Sequence, residues 1–234
     1  MALPKLETQV FELEQPSTGD TIKYRPFLVK EQKVLMLAQE SEDVKEVNSA
    51  LASLISSCTF EKIDPYSIPM FDIEFLFLRI RGKSVGEKVD LNVLCTDDDK
   101  TRVKTTLNLS EVNVNMKEGH TNIIDVTDKI KIVMRYPTLK DMVDMDGMQD
   151  INNVLLMMKK CVHEILDGEE VHSRVDMSES ELEEFFESLS GQQFEKVTEF
   201  FDTMPKIAHA ITVKNPKTKK ENNIILEGLQ SFFD

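Results

Sequence analysis

The spacing of apolar residues changes several times along the chain, and each change predicts a new element. Val10 and Leu13, then Ile22 and Tyr24, flank the turn-rich Pro16-Ser17-Thr18-Gly19-Asp20, which predicts a hairpin ended by Pro26. From Val29 to about Ser57 the period is helical. Val34, Leu37 and Ala38 form one stripe, and Val47, Ala50, Leu51, Leu54 and Ile55 form another. The stripes part at Glu40-Ser41-Glu42-Asp43, where Ser41 or Asp43 is placed to cap a second helix. After Gly86 the period becomes two: Val89, Leu91, Val93 and Cys95, then Val103, Thr105, Leu107 and Leu109, with the polar run TDDDK between them as a hairpin tip. VNVNM and TNIIDV are shorter strand candidates, and KIKIVMRY alternates up to Pro137.

Beyond Pro137 the pattern reads as helical. In DINNVLLMMKKCVHEIL, residues Ile151, Val154, Leu155, Met158, Val162 and Ile165 share one face. Ser178 followed by Glu181 has the capping-box spacing and precedes Leu182, Phe185, Phe186 and Leu189. Val197, Phe200, Phe201 and Met204 continue as a further helix. HAITVKNPKTKKENNIILEGLQSFF ends as a short hairpin around Asn215-Pro216 and an apolar tail. The expected fold is therefore α+β. An N-terminal hairpin and helices pack with a central antiparallel sheet over 1–137, and a mainly helical part follows over 138–234.

The stretch MFDIEFLFLRIRGKSVGE, Met70 to Glu87, has two apolar faces when wound at about 100° per residue. Ile73, Leu76, Phe77 and Ile80 form one, and Phe71, Phe75 and Leu78 form the other. Between them run two charged lines: Asp72, Arg79 and Lys83, and on roughly the opposite side Glu74 and Arg81. A surface helix needs one apolar face, so this helix is expected to be covered on both sides. Two readings follow. It is a core helix between two layers of one domain, or its second face docks a partner or another copy of the chain.

Composition narrows the function. The 234 residues carry a formal net charge of −14, which disfavours a phosphate-binding surface. The basic run KNPKTKK suits a solvated hairpin tip. No apolar run approaches the roughly 20 residues that span a bilayer, and the N-terminus lacks the pattern of a secretory signal. Three widely spaced cysteines fit a reducing compartment better than a disulfide framework. Gly82-Lys83-Ser84 lacks the rest of a phosphate-binding loop, there is no GxSxG, and His172 sits in an acidic turn-like segment without metal-ligand spacing. No enzyme, cofactor or metal site is expected.

The ordered series RPFLVKEQK (Arg25 to Lys33), CTFEKID, PMFDIEFLFLRIRGKSVGE, EGHTNIIDVTDKIKIVMRYPTL and ILEGLQSFF resembles the baseplate hub proteins of T-even-like tailed bacteriophages. More narrowly it resembles their hub subunit or hub assembly proteins, which are tail-assembly chaperone-like. The resemblance covers nearly the whole chain. It implies a late, non-enzymatic protein that binds other hub or tape-measure proteins in the host cytoplasm during tail assembly. The alternative it leaves is a permanent structural subunit of the hub in the virion; a homo-oligomer is a further expected partnership, from the second apolar face of the Met70 to Glu87 stretch. A chaperone role implies an exposed apolar groove or a loosely held C-terminal tail. The candidate partner-binding residues are then Phe71, Phe75, Leu78, Phe232 and Phe233.

Overall fold

Eleven strands and seven α-helices alternate along the described residues, with three short 3-10 turns among them. The computed structural model describes residues 6–41, 43–143 and 151–232. In chain order come β1 (Phe11–Glu14), β2 (Thr21–Tyr24), α1 (Val29–Ser41), α2 (Val44–Cys58) and α3 (Met70–Val85). Next are β3 (Lys88–Leu94), β4 (Arg102–Asn108), β5 (Asn113–Asn115), β6 (Ile123–Asp125), β7 (Ile130–Met134), α4 (Leu139–Val143) and α5 (Ile151–Cys161). The chain closes with β8 (Val162–Asp167), β9 (Glu170–Ser173), α6 (Glu179–Glu187), α7 (Gly191–Thr203), β10 (Lys206–Lys214), β11 (Glu221–Glu227) and a 3-10 turn, Leu229–Phe232. Two units result: one from 1–115 with 206–234, the other from 116–205.

In the first unit the N-terminal hairpin pairs Phe11–Glu14 with Thr21–Tyr24 as the alternation predicts. Asp43 caps α2, its carboxylate accepting from the Lys45 N–H at 2.8 Å. Leu51, Leu54, Ile55 and Cys58 of α2 pack with Ile22 and Tyr24 of β2 on one face of α3. The other face meets β-structure. Val89, Leu91 and Val93 of β3 alternate inward, and Leu107 of β4, Val213 of β10 and Leu226 of β11 join the same cluster. β10 also pairs with β5, so the last strands complete a three-stranded sheet, β11-β10-β5.

The tips of the β3-β4 and β10-β11 hairpins are locked together. Asn222, 2 % exposed, accepts from the Asp97 N–H at 2.9 Å and the Thr96 hydroxyl at 3.1 Å. The Asp97 carboxylate accepts from the Thr218 hydroxyl and from the amide of the fully buried Asn215 at 2.8 Å. These bonds hold the Asp97 carboxyl below its usual range. The acidic run TDDDK and the basic run KNPKTKK are thus the two halves of one polar clasp.

The second unit is a four-stranded antiparallel sheet, β6-β7-β8-β9. Ile132, Val162 and Ile165 from the sheet pack with Met158 of α5, Leu182 and Phe186 of α6, and Val197 and Phe200 of α7. Ser178 and Glu181 form the expected capping box at α6, and Ser190 with Gln193 forms a second at α7. His120 is held between the Thr203 hydroxyl (2.9 Å) and the Tyr136 hydroxyl (3.1 Å).

The α+β composition stands, but two parts of the expected architecture do not. The strands form four small antiparallel sheets rather than one central sheet, and 138–234 is not mainly helical. Besides the hairpin expected around Asn215-Pro216, which is β10 and β11, it holds β8 and β9, and among the described residues its last strand, β11, is followed by a 3-10 turn. The reason at β8 is a bulge. Val133 pairs with Glu164 and Met134 with Val162, so His163 is the extra residue. Val162 and Ile165 therefore both point into the core although they are three apart, a spacing that imitates a helix. Gly168, at φ +62°, then turns the chain into β9.

The clasp predicts a measurable cost. Asn222→Ala leaves the Asp97 N–H and the Thr96 hydroxyl without their buried acceptor. Urea unfolding should show a loss of about 1–3 kcal/mol with an unchanged m-value. An unaltered midpoint would show that water replaces the amide without cost.

Candidate partner-binding site

The site proposed from sequence lies on α3, and α3 is covered on both faces by its own unit. Ile73, Leu76, Phe77 and Ile80 lie in the cluster with α2 and the N-terminal hairpin. Leu78 lies in the cluster with β3, β4, β10 and β11, and Phe75 packs against that cluster. Leu78 is 1 % exposed, Phe71 is buried, and Phe75 is partly exposed. Phe232 is fully buried in the cluster that contains Leu78. Phe233 lies outside the described residues. The structure thus brings Phe75, Leu78 and Phe232 together.

Burial on both sides raises the question of how α3 accommodates its charges, since an unpaired charge away from water is costly. Each has a specific partner. Fully buried Asp72 accepts from the Gln15 amide at 2.7 Å, the Ser17 N–H at 3.1 Å and the Ser17 hydroxyl. Burial pushes its pKa up, against these bonds. Asp72 thereby fastens the turn of the N-terminal hairpin to the start of α3. Arg79 donates to the carbonyls of Leu109 and Val112, both at 2.7 Å, and its guanidinium lies 4.5 Å from the Phe75 ring centroid. Lys83 pairs with Glu87 at 2.5 Å. Ser84 accepts from the Phe27 N–H at 2.9 Å, so Gly82-Lys83-Ser84 is helix rather than a phosphate-binding loop.

Glu74 differs from these. Its carboxyl accepts from the Leu229 N–H at 3.2 Å, and burial pushes its pKa up to about 7. Leu229 itself packs against both hydrophobic clusters. The C-terminal turn, Leu229–Phe232, therefore seats on α3 through one apolar anchor at each end and one carboxyl that resists ionisation. Sequence periodicity placed Glu74 on a charged line. It gave no sign that the partner of that line is a backbone N–H 155 residues away.

Nothing in this arrangement is catalytic in form. Among the described residues no group of three or more His, Cys, Asp or Glu is placed to hold a metal ion, and no helix is long and apolar enough to cross a membrane. What the site offers is a short terminal segment laid over apolar surface.

The raised pKa of Glu74 carries a sign. Its folded value, about 7, lies above its ordinary value of 4.5, so between these the folded chain holds the extra proton and stability falls as pH rises. Above about pH 7 the whole loss is present. Glu74→Gln stays neutral and still accepts from Leu229. It should be more stable than the parent at about pH 8, on the order of 2 kcal/mol allowing for partial solvent screening, with the gap closing toward about pH 4.5. Urea unfolding of both proteins at the two pH values checks this. A gap independent of pH would remove Glu74 as its source.

A model of the family described as T4 bacteriophage base plate protein matches residues 8–234. No curated protein and no solved structure matches the chain.

Proposed function

Starting from the fact that the chain belongs to the T4 bacteriophage base plate protein family, we propose that it is a non-enzymatic assembly protein of the baseplate hub. Membership gives it a structural or assembly role in the baseplate, among other baseplate and tail proteins, and points to a structural protein rather than an enzyme. The finer reading is that it binds other hub or tape-measure proteins during assembly in the host cytoplasm.

The observation that supports this reading is the seating of Leu229–Phe232 on α3. Release of that turn would expose Glu74 to solvent, where its carboxyl ionises freely, and would free surface beside Phe75 and Leu78 for a partner. Apolar surface uncovered only on demand suits a protein that meets its partners in sequence, because a permanently exposed patch invites aggregation. Phe75, Leu78 and Phe232 are then the residues that exchange an internal contact for an external one, with Phe71 on the same apolar face of α3.

A permanent hub subunit in the virion is the second reading, and membership of the base plate family fits it equally well. Quantitative mass spectrometry of purified mature particles separates the two. A transient assembly factor should be absent or far below stoichiometric level there, yet be recovered with hub proteins from infected cells before tails are complete. Stoichiometric presence in the particle would overturn the transient role.

A further inference from the structure

The second unit carries an open groove of about 400 Å³ that no role assigned above uses. Its floor is apolar: Ile130 and Ile165 from the sheet, Met177 before α6, and Leu182 and Phe185 on α6. Val171 stands at its margin, 60 % exposed, on β9, the terminal strand of its sheet. The polar lining is predominantly acidic: Asp167, Asp176 and Glu181, together with His172 and Ser173. The Ser178 N–H and hydroxyl hold the Glu181 carboxyl below its usual range, so that side of the rim is charged at neutral pH.

The surroundings extend the same sign. From Glu164 to Glu187 the sequence has ten Asp and Glu residues against one arginine, Arg174. Arg174 is paired with Glu179 and donates to the Met177 carbonyl at 3.2 Å, so it is occupied within the rim. An apolar floor inside a negative field selects an occupant with apolar side chains and positive flanks. The field raises the encounter rate, and the floor holds what arrives.

We propose that this groove binds a basic amphipathic segment of a partner protein, with apolar side chains on Phe185, Ile165 and Met177 and Lys or Arg against Asp167, Asp176 and Glu181. A nucleic acid is refused by the field. The chain's own basic run, Lys214 to Lys220, has no large apolar residue to fill the floor, which argues against a second copy as occupant. This surface is independent of the C-terminal turn on α3, and either can fail without the other.

The test uses the full chain and three fluorescently labelled peptides of equal length: a Lys/Leu amphipathic peptide, a Glu/Leu peptide with the same apolar face, and a Lys/Ser peptide with the same charge. Anisotropy titrations should show the Lys/Leu peptide binding at least about tenfold more tightly than either of the others. Binding should weaken by about tenfold or more in Phe185→Ser and in the double variant Asp167→Lys/Asp176→Lys. The double variant changes two exposed side chains, so it reports even if Phe185→Ser unfolds, which a circular-dichroism melt will show. Equal binding of the Lys/Ser peptide would mean that charge alone is read and would overturn the proposal. So would unaltered binding in the double variant. Concentration-dependent self-association of the parent that is lost in the double variant would also overturn it, by giving the groove to a second copy.

Discussion

A helix buried on both faces must still find a partner for every charge it carries, and the first unit is arranged around that constraint. α3 divides two hydrophobic clusters, one with α2 and the N-terminal hairpin, the other with the β3-β4 and β10-β11 hairpins. Its charged residues are tethers between them. Asp72 holds the hairpin turn through Gln15 and Ser17. Arg79 holds the Leu109 and Val112 carbonyls beyond β4. Glu74 holds the end of the chain. Buried ionic groups add little net stability against an apolar replacement, but removing one partner is costly. Their effect here is to specify which segment lies against which part of the helix.

Among the described residues the Glu74 carboxyl accepts from a backbone N–H, that of Leu229, rather than from a cation or a set of donors. Asp72 receives bonds from two residues, and Arg79 reaches two carbonyls and an aromatic ring. The C-terminal turn is thus attached to α3 by a single 3.2 Å hydrogen bond among the described residues and by apolar contacts, with Phe232 fully buried and Leu229 partly buried. The assembly role proposed above requires that a cover of that kind be exchanged without dismantling the rest of the unit.

Much of this was legible in sequence. The two faces of Met70 to Val85 follow from 3.6-residue periodicity alone, and the structure fills them with separate clusters. The hairpins at Phe11–Tyr24 and Lys88–Asn108 and the cap at Ser178 follow from alternation and local hydrogen-bonding chemistry, and of the two cap candidates Ser41 and Asp43 the structure uses Asp43. What was not legible required distant partners. Nothing local says that Lys206–Ala208 pairs with Asn113–Asn115, that Asn222 receives Asp97, or that Leu229 meets Glu74. At Val162–Asp167 the local signal misled, because a bulge gives a strand the three-residue spacing of a helix. The groove beside α6 is not legible in sequence for a related reason. Ile130, Ile165 and Phe185 each look like ordinary core positions until the sheet and helix bring them to a common opening.

The central claim is that α3 is the element on which both clusters of the first unit depend, with the C-terminal turn as its removable cover. Native-state hydrogen exchange followed by mass spectrometry measures this directly. The amides of Ile73 to Ile80 should exchange only through global unfolding of the unit, while those of Leu229 to Phe232 open at a distinctly lower free energy. Exchange of the α3 amides ahead of those in β3 and β10, or release of the terminal turn only together with α3, would contradict the account.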